Sequence, residues 1–227
     1  MLIIAIPKSA STSLMLTISK LHNLNAKQDF SFTDNSIPDN CNILYSFHGD
    51  IRELKSIDFL KMKNTVVKQH LYPSSNNLNL TYNVKKVILL REPSEIVLAY
   101  RRGAIKSIHN LLNGYSVKMT EKEWLDQAKN DGLFSDLNFF CKEWINKSNP
   151  KTTLFVSYRD YVDNPKKVIN KIEEFYGLKI TARKFSTVKA RFSRRSTIGD
   201  FSHSNYLKLK SYLINILIGI RNNITKK

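Results

Sequence analysis

Cysteine is scarce in this 227-residue chain: Cys41 and Cys141 are the only two, and they lack metal-ligand spacing, so neither a disulfide framework nor a zinc site is indicated. A reducing compartment, the cytoplasm, is the expected location. Long apolar runs are also missing. The longest, residues 212–220, falls well short of the ~20 residues of a membrane-spanning helix and is interrupted by Asn215. The opening residues 1–6 are apolar but have no basic leader and no cleavage-type segment after them, so they read as a strand rather than a signal peptide. No stretch rich in Pro, Gly or Ser marks a linker, and no segment repeats. Residues 1–227 are therefore expected to form a single domain with a sizeable core.

Acidic residues are the other deficit, with 19 Asp and Glu against 36 Lys and Arg and a formal charge of +17. Such a surface draws polyanions: nucleic acid, phosphorylated cofactors, acidic glycans or an anionic lipid face. Much of the excess is Lys scattered beside Asn and Ile, a pattern that coding bias produces equally well. There is no zinc-finger or RRM signature and no basic stripe interleaved with aromatics, so nucleic acid is not the expected partner.

What is present is an alternation of strand and helix patterns. Residues 2–6 are a continuous apolar run, followed by Leu14, Ile18 and Leu21 at helical spacing behind a Ser/Thr start. Residues 42–47 and 65–71 read as strands, with a helix around 51–62 between them. The run Val87-Ile88-Leu89-Leu90 suits a central parallel strand, and Pro93 opens the helix after it. Thr120 and Glu123 form a capping-box pattern, and a further helix starts at Ser135. Residues 153–157 return to strand. A helix follows from Pro165 with Val168, Ile169, Ile172 and Phe175 inward and Gly177 at its end, and residues 205–224 read as a last helix. The predicted class is α/β, three layers, with a central parallel sheet flanked by helices.

In such a sheet, ligands gather beyond the carboxyl ends of the strands. After the first strand comes Pro7-Lys8-Ser9-Ala10-Ser11-Thr12, small residues and one Lys at a helix start, which are the parts of an anion cradle. It lacks the glycines of GxxxxGK[ST], and acidic Mg²⁺ ligands are not found, which weakens the alternative of a P-loop kinase. In residues 66–73, alternation puts Lys68 and His70 on one face. Arg91 directly follows the central strand, and Tyr158 follows the later one. Arg194-Arg195-Ser196-Thr197-Ile198-Gly199-Asp200-Phe201 is a basic pair ahead of Gly-Asp-aromatic.

Taken in order, these segments resemble the cytosolic-type sulfotransferases. Residues 7–13 are similar to PKSGTTW, with Ala10 and Ser13 departing; residues 68–73 resemble KTHLP. Residues 91–101 resemble RNPxDxxxSYY, with Ala99 at the Ser position. Residues 154–165 resemble LFYEDMKxDP, and residues 194–201 resemble RKGxxGDW, with Ser196 and Phe201 departing. The resemblance implies a P-loop-NTPase-like sulfotransferase fold and transfer of a sulfuryl group from 3′-phosphoadenosine 5′-phosphosulfate (PAPS, leaving PAP) to a hydroxyl, or an amine, of an acceptor. It implies His70 as general base and Lys8 and Lys68 as catalytic cations. The donor is expected on Pro7, Lys8, Ser9, Ala10, Ser11 and Thr12, with Arg91, Arg194 and Arg195 on its 3′-phosphate, Tyr158 at the adenine, and no metal. His48 is a reserve base. The chain starts directly at the first strand, where the family's small-molecule enzymes carry a lead-in segment over the acceptor site. A glycan, lipid or small metabolite remains open as acceptor, with peripheral membrane contact through the last helix.

Overall fold

The computed structural model describes residues 1–179 except 29–32, 35, 48–50, 109–110 and 112. His48, Arg194, Arg195 and the helix expected at 205–224 lie outside the described residues.

Five strands form one parallel sheet: β1 (Leu2–Ala5), β2 (Asn25–Lys27), β3 (Thr65–Gln69), β4 (Lys86–Leu90) and β5 (Thr153–Ser157), in the order β2-β3-β1-β4-β5. Eight α-helices are described: α1 (Ser11–His22), α2 (Leu44–Phe47), α3 (Ser75–Thr81), α4 (Pro93–Ile105), α5 (Glu121–Asn130), α6 (Leu133–Lys147), α7 (Tyr158–Asp163) and α8 (Pro165–Tyr176).

Strand alternation sorts the core into two layers. Leu2, Ile4 and Ile6 face one way, with Val67, Ile88 and Leu90, into a cluster that includes Trp124, Leu137, Phe140 and Trp144 from α5 and α6. Ile3 and Ala5 face the other way, with Val66, Val87 and Leu89, onto Leu14 and Ile18 of α1 and Val168, Ile169 and Ile172 of α8. Each fully buried Leu or Ile contributes roughly 1.5–3 kcal/mol. This is the expected three-layer α/β arrangement, with β1 buried on both faces.

Several local expectations are corrected. Residues 42–47 are not a strand. Asp136 on α6 reaches across and accepts from the amides of Asn42, Ile43 and Leu44 at 2.8–3.0 Å, which starts the short helix α2 instead. The helix expected at 51–62 is reduced to a 3-10 turn, Asp58–Lys61; Leu54 bridges Thr33 and donates its amide to Asn77 Oδ1. Helix α6 begins at Leu133 rather than Ser135, because Gly132 takes φ 90 and turns the chain there. Phe175 is half-buried rather than inward. Tyr176 beside it reaches the sheet, its hydroxyl donating to Lys85 O at 2.8 Å.

Candidate active site

The chain leaves β1 for β2 and β3 on one side, then crosses back to β4 and β5 on the other. The crevice beyond the carboxyl end of β1 is thus the switch point of the sheet, where open parallel sheets take ligands. Loop 6–10, the residues after β3 and those after β4 are tied together there.

The loop after β1 is an unusual piece of backbone. Lys8 and Ala10 take φ 62 and 65, in the left-handed region, at a cost of roughly 1–2 kcal/mol each for a side-chain-bearing residue. Ser9 between them is fully buried, and its Oγ donates to Ile6 O at 2.6 Å, which closes the turn. Ala10 sits where the PKSGTTW pattern has Gly, the residue that adopts this conformation without steric cost. Ala10 is also the N-cap of α1 and supplies no side-chain cap, and the first turn holds no acidic residue. The first-turn amides and the positive helix end therefore have neither a side-chain cap nor a first-turn carboxylate. Pro7 and Ser11 are buried and Thr12 is exposed. The half-buried Lys8 carries its Nζ 5.3 Å from the Tyr100 ring centroid.

After β3, Lys68 and His70 do share a face, and both are buried. His70 Nδ1 donates to Ala5 O at 2.7 Å; a carbonyl only accepts, so Nδ1 carries the hydrogen and Nε2 presents its lone pair. Lys68 Nζ donates to that Nε2 at 3.2 Å. The backbone just beyond is fixed by α6, where Trp144 Nε1 donates to Leu71 O at 3.0 Å.

After β4, Arg91 Nη1 donates to Lys8 O at 2.5 Å and binds the strained loop to the neighbouring strand. Its Nε meets Glu95 Oε2 at 3.3 Å, and its guanidinium lies 3.8 Å from the centroid of the Tyr158 ring. Burial, and then the charge of Arg102, lower the Arg91 pKa, opposed by Tyr158 and Glu95. Tyr158 opens α7, so its ring is presented by a helix start rather than by the strand. Arg91 covers one of its faces.

Sequence reasoning missed two contributors. Asp136, fully buried, holds residues 41–44; the available signal was an Asp within the apolar stripe of α6. Beside Lys8 stands an aromatic group: Phe47 lies 4.9 Å from Tyr100 and 5.4 Å from Tyr115, and Tyr115 lies 4.5 Å from Trp124. Burial and the Asp131 carboxylate that accepts from Tyr115 at 2.5 Å raise the Tyr115 pKa. A groove of about 660 Å³ along α7 and α8 is lined by none of these residues.

The five-stranded parallel sheet with helices on both faces is of the P-loop-like α/β class. The sulfotransferase domain family matches residues 1–213, and the chain belongs to that family; its general chemistry is sulfotransfer. The fold is similar to that of a sulfotransferase from Alicyclobacillus acidocaldarius, with TM-score 0.54 and 11% identity over 100% of this chain and 95% of that one. It is also similar to a mouse sulfotransferase solved with PAP, with TM-score 0.53 and 16% identity over 82% of this chain and 60% of that one. No curated protein matches the sequence. Among the described residues no helix is long and apolar enough to cross a membrane.

Proposed function

We propose that the chain moves a sulfuryl group from PAPS to an acceptor hydroxyl, with His70 as the general base. The observation that carries this reading is the His70 tautomer: Nδ1 is committed to Ala5 O at 2.7 Å, so Nε2 is the proton acceptor, and it sits at the same strand ends as the loop of Lys8. The sulfuryl donor supplies the activated group; the residues supply binding, orientation and charge. The uncapped amides after Ala10 and the Lys8 ammonium suit a 5′-phosphate, and Arg91 suits the 3′-phosphate side. Tyr158, half-buried with Arg91 against its ring, suits the adenine side. Arg194 and Arg195 would complete the 3′-phosphate clamp.

Lys68 has two tasks in sequence. At rest its ammonium donates to Nε2 at 3.2 Å, which holds the imidazole in its basic tautomer. When His70 takes the acceptor's proton, two cations face each other, and Lys68 is driven toward the negative charge developing on the group in transit.

The test is His70→Ala assayed with labelled donor. Loss of turnover by about 10²–10⁴-fold with PAP affinity within about twofold of the parent is expected. Full turnover in the variant removes His70 from the mechanism.

A further inference from the structure

Glu95 holds two guanidinium groups, one on each carboxylate oxygen, and only one of them has a role above. Arg91 Nε meets Oε2 at 3.3 Å, while Nη2 of Arg159 pairs with Oε1. Arg159 is the second residue of α7, directly after Tyr158, whose ring carries the Arg91 guanidinium. The charges do not balance. Two cations share one carboxylate, and Arg102 is near enough for its charge to lower the Arg91 pKa. Arg159 Nε is buried and meets no acceptor among the described residues, while the side chain as a whole keeps 33% exposure. Surplus positive charge on a side chain that is one-third open to solvent fits an anion.

The neighbouring helix says which anion. Glu95 and Ala99 lie four residues apart on one face of α4, about 6 Å along its axis. Ala99 stands where the RNPxDxxxSYY pattern has the Ser that shares the 3′-phosphate with the Arg, so one hydroxyl donor is missing from α4, one turn after Glu95. At the same time, where LFYEDMKxDP has Glu between Tyr and Asp, this chain has Arg159 between Tyr158 and Asp160, a reversal of charge. We infer that Arg159, held in place by Glu95, binds the 3′-phosphate of the donor in place of the missing hydroxyl and sets the preference for a 3′-phosphorylated nucleotide. A charge-assisted contact replaces a neutral one, so the loss at Ala99 is more than offset. This inference rests on the donor assignment of the preceding section.

The experiment compares the binding of PAP and of adenosine 5′-phosphate, which lacks the 3′ group, by calorimetry to the parent, Arg159→Ala, Arg159→Gln and Arg159→Lys. In Arg159→Ala, PAP affinity is expected to fall about tenfold or more while adenosine 5′-phosphate affinity stays within about twofold; Arg159→Lys is expected to fall in between. Glu95 also pairs with Arg91, so Arg159→Gln, which keeps a hydrogen bond to Glu95 without the charge, separates a direct contact from one relayed through Arg91: an unchanged ratio between the two nucleotides in Arg159→Gln overturns the inference. If the parent itself fails to prefer PAP, the donor assignment falls and this inference with it. Should Arg159→Ala not fold, the ratio in Arg159→Gln decides alone.

Discussion

Two helix starts in this molecule are finished in opposite ways. The amides that open α2 converge on the Asp136 carboxylate, which also accepts from Asn42 Nδ2 at 2.6 Å and is fully buried. The amides that open α1 receive no side-chain cap and have no acidic residue in the first turn, behind a loop bent through two left-handed residues. One end is satisfied by the chain's own anion and serves the fold. The other carries strain, as helix starts that take a ligand anion do. The carboxyl end of α3 belongs with the first kind: Lys86, fully buried, donates to Thr81 O at 2.7 Å and Val84 O at 3.3 Å.

Removing the internal anion should have the largest effect. Asp136→Ala leaves several buried amides without acceptors and is expected to cost about 3–5 kcal/mol, read as a lower denaturant midpoint. A loss under about 1 kcal/mol would mean that water or Ser/Asn groups replace the carboxylate and that α2 does not depend on it.

The internal cation gives a pH test. Burial pulls the Lys86 pKa down to about 8 from an ordinary value of 10.5. Below pH 8 the side chain is protonated in both folded and unfolded chains and its burial cost is fully present. Between pH 8 and 10.5 the unfolded chain binds the extra proton, so stability rises with pH, by up to roughly 3 kcal/mol across the window. Lys86→Met is expected to remove that rise from a series of melts; an identical pH profile in the variant would show that the rise has another source.

The smallest change turns the open helix into the closed kind. Thr12→Asp puts a carboxylate in the first turn of α1, where it should stabilise the ligand-free protein by about 0.3–1 kcal/mol and weaken PAP about tenfold by occupying and repelling. Unaltered PAP affinity would separate this helix start from the donor site.

The same contrast explains what could be read from sequence. Helices α1, α4, α5 and α8 and strands β1, β3, β4 and β5 carry their own periodicity, caps and prolines, so local pattern suffices. Residues 42–47 look like a strand because the group that makes them helical, Asp136, is 94 residues from Asn42 in the chain. Strand β2 is short and polar and, among the described residues, pairs with β3 alone, which leaves no alternating apolar face to detect. In the site, the shared face of Lys68 and His70 follows from strand alternation. The commitment of His70 Nδ1 to Ala5 O and the stacking of Arg91 on Tyr158 are long-range contacts that no local pattern encodes.

The most direct test of the central claim is the melting temperature of the chain with PAP, with ATP and Mg²⁺, and with DNA. A ligand at about 100 times its dissociation constant adds about 2.7 kcal/mol of stability, and PAP alone is expected to give a shift of that size. Stabilisation by ATP with Mg²⁺ and none by PAP would contradict the donor assignment and favour a phosphoryl-transfer enzyme on the same fold.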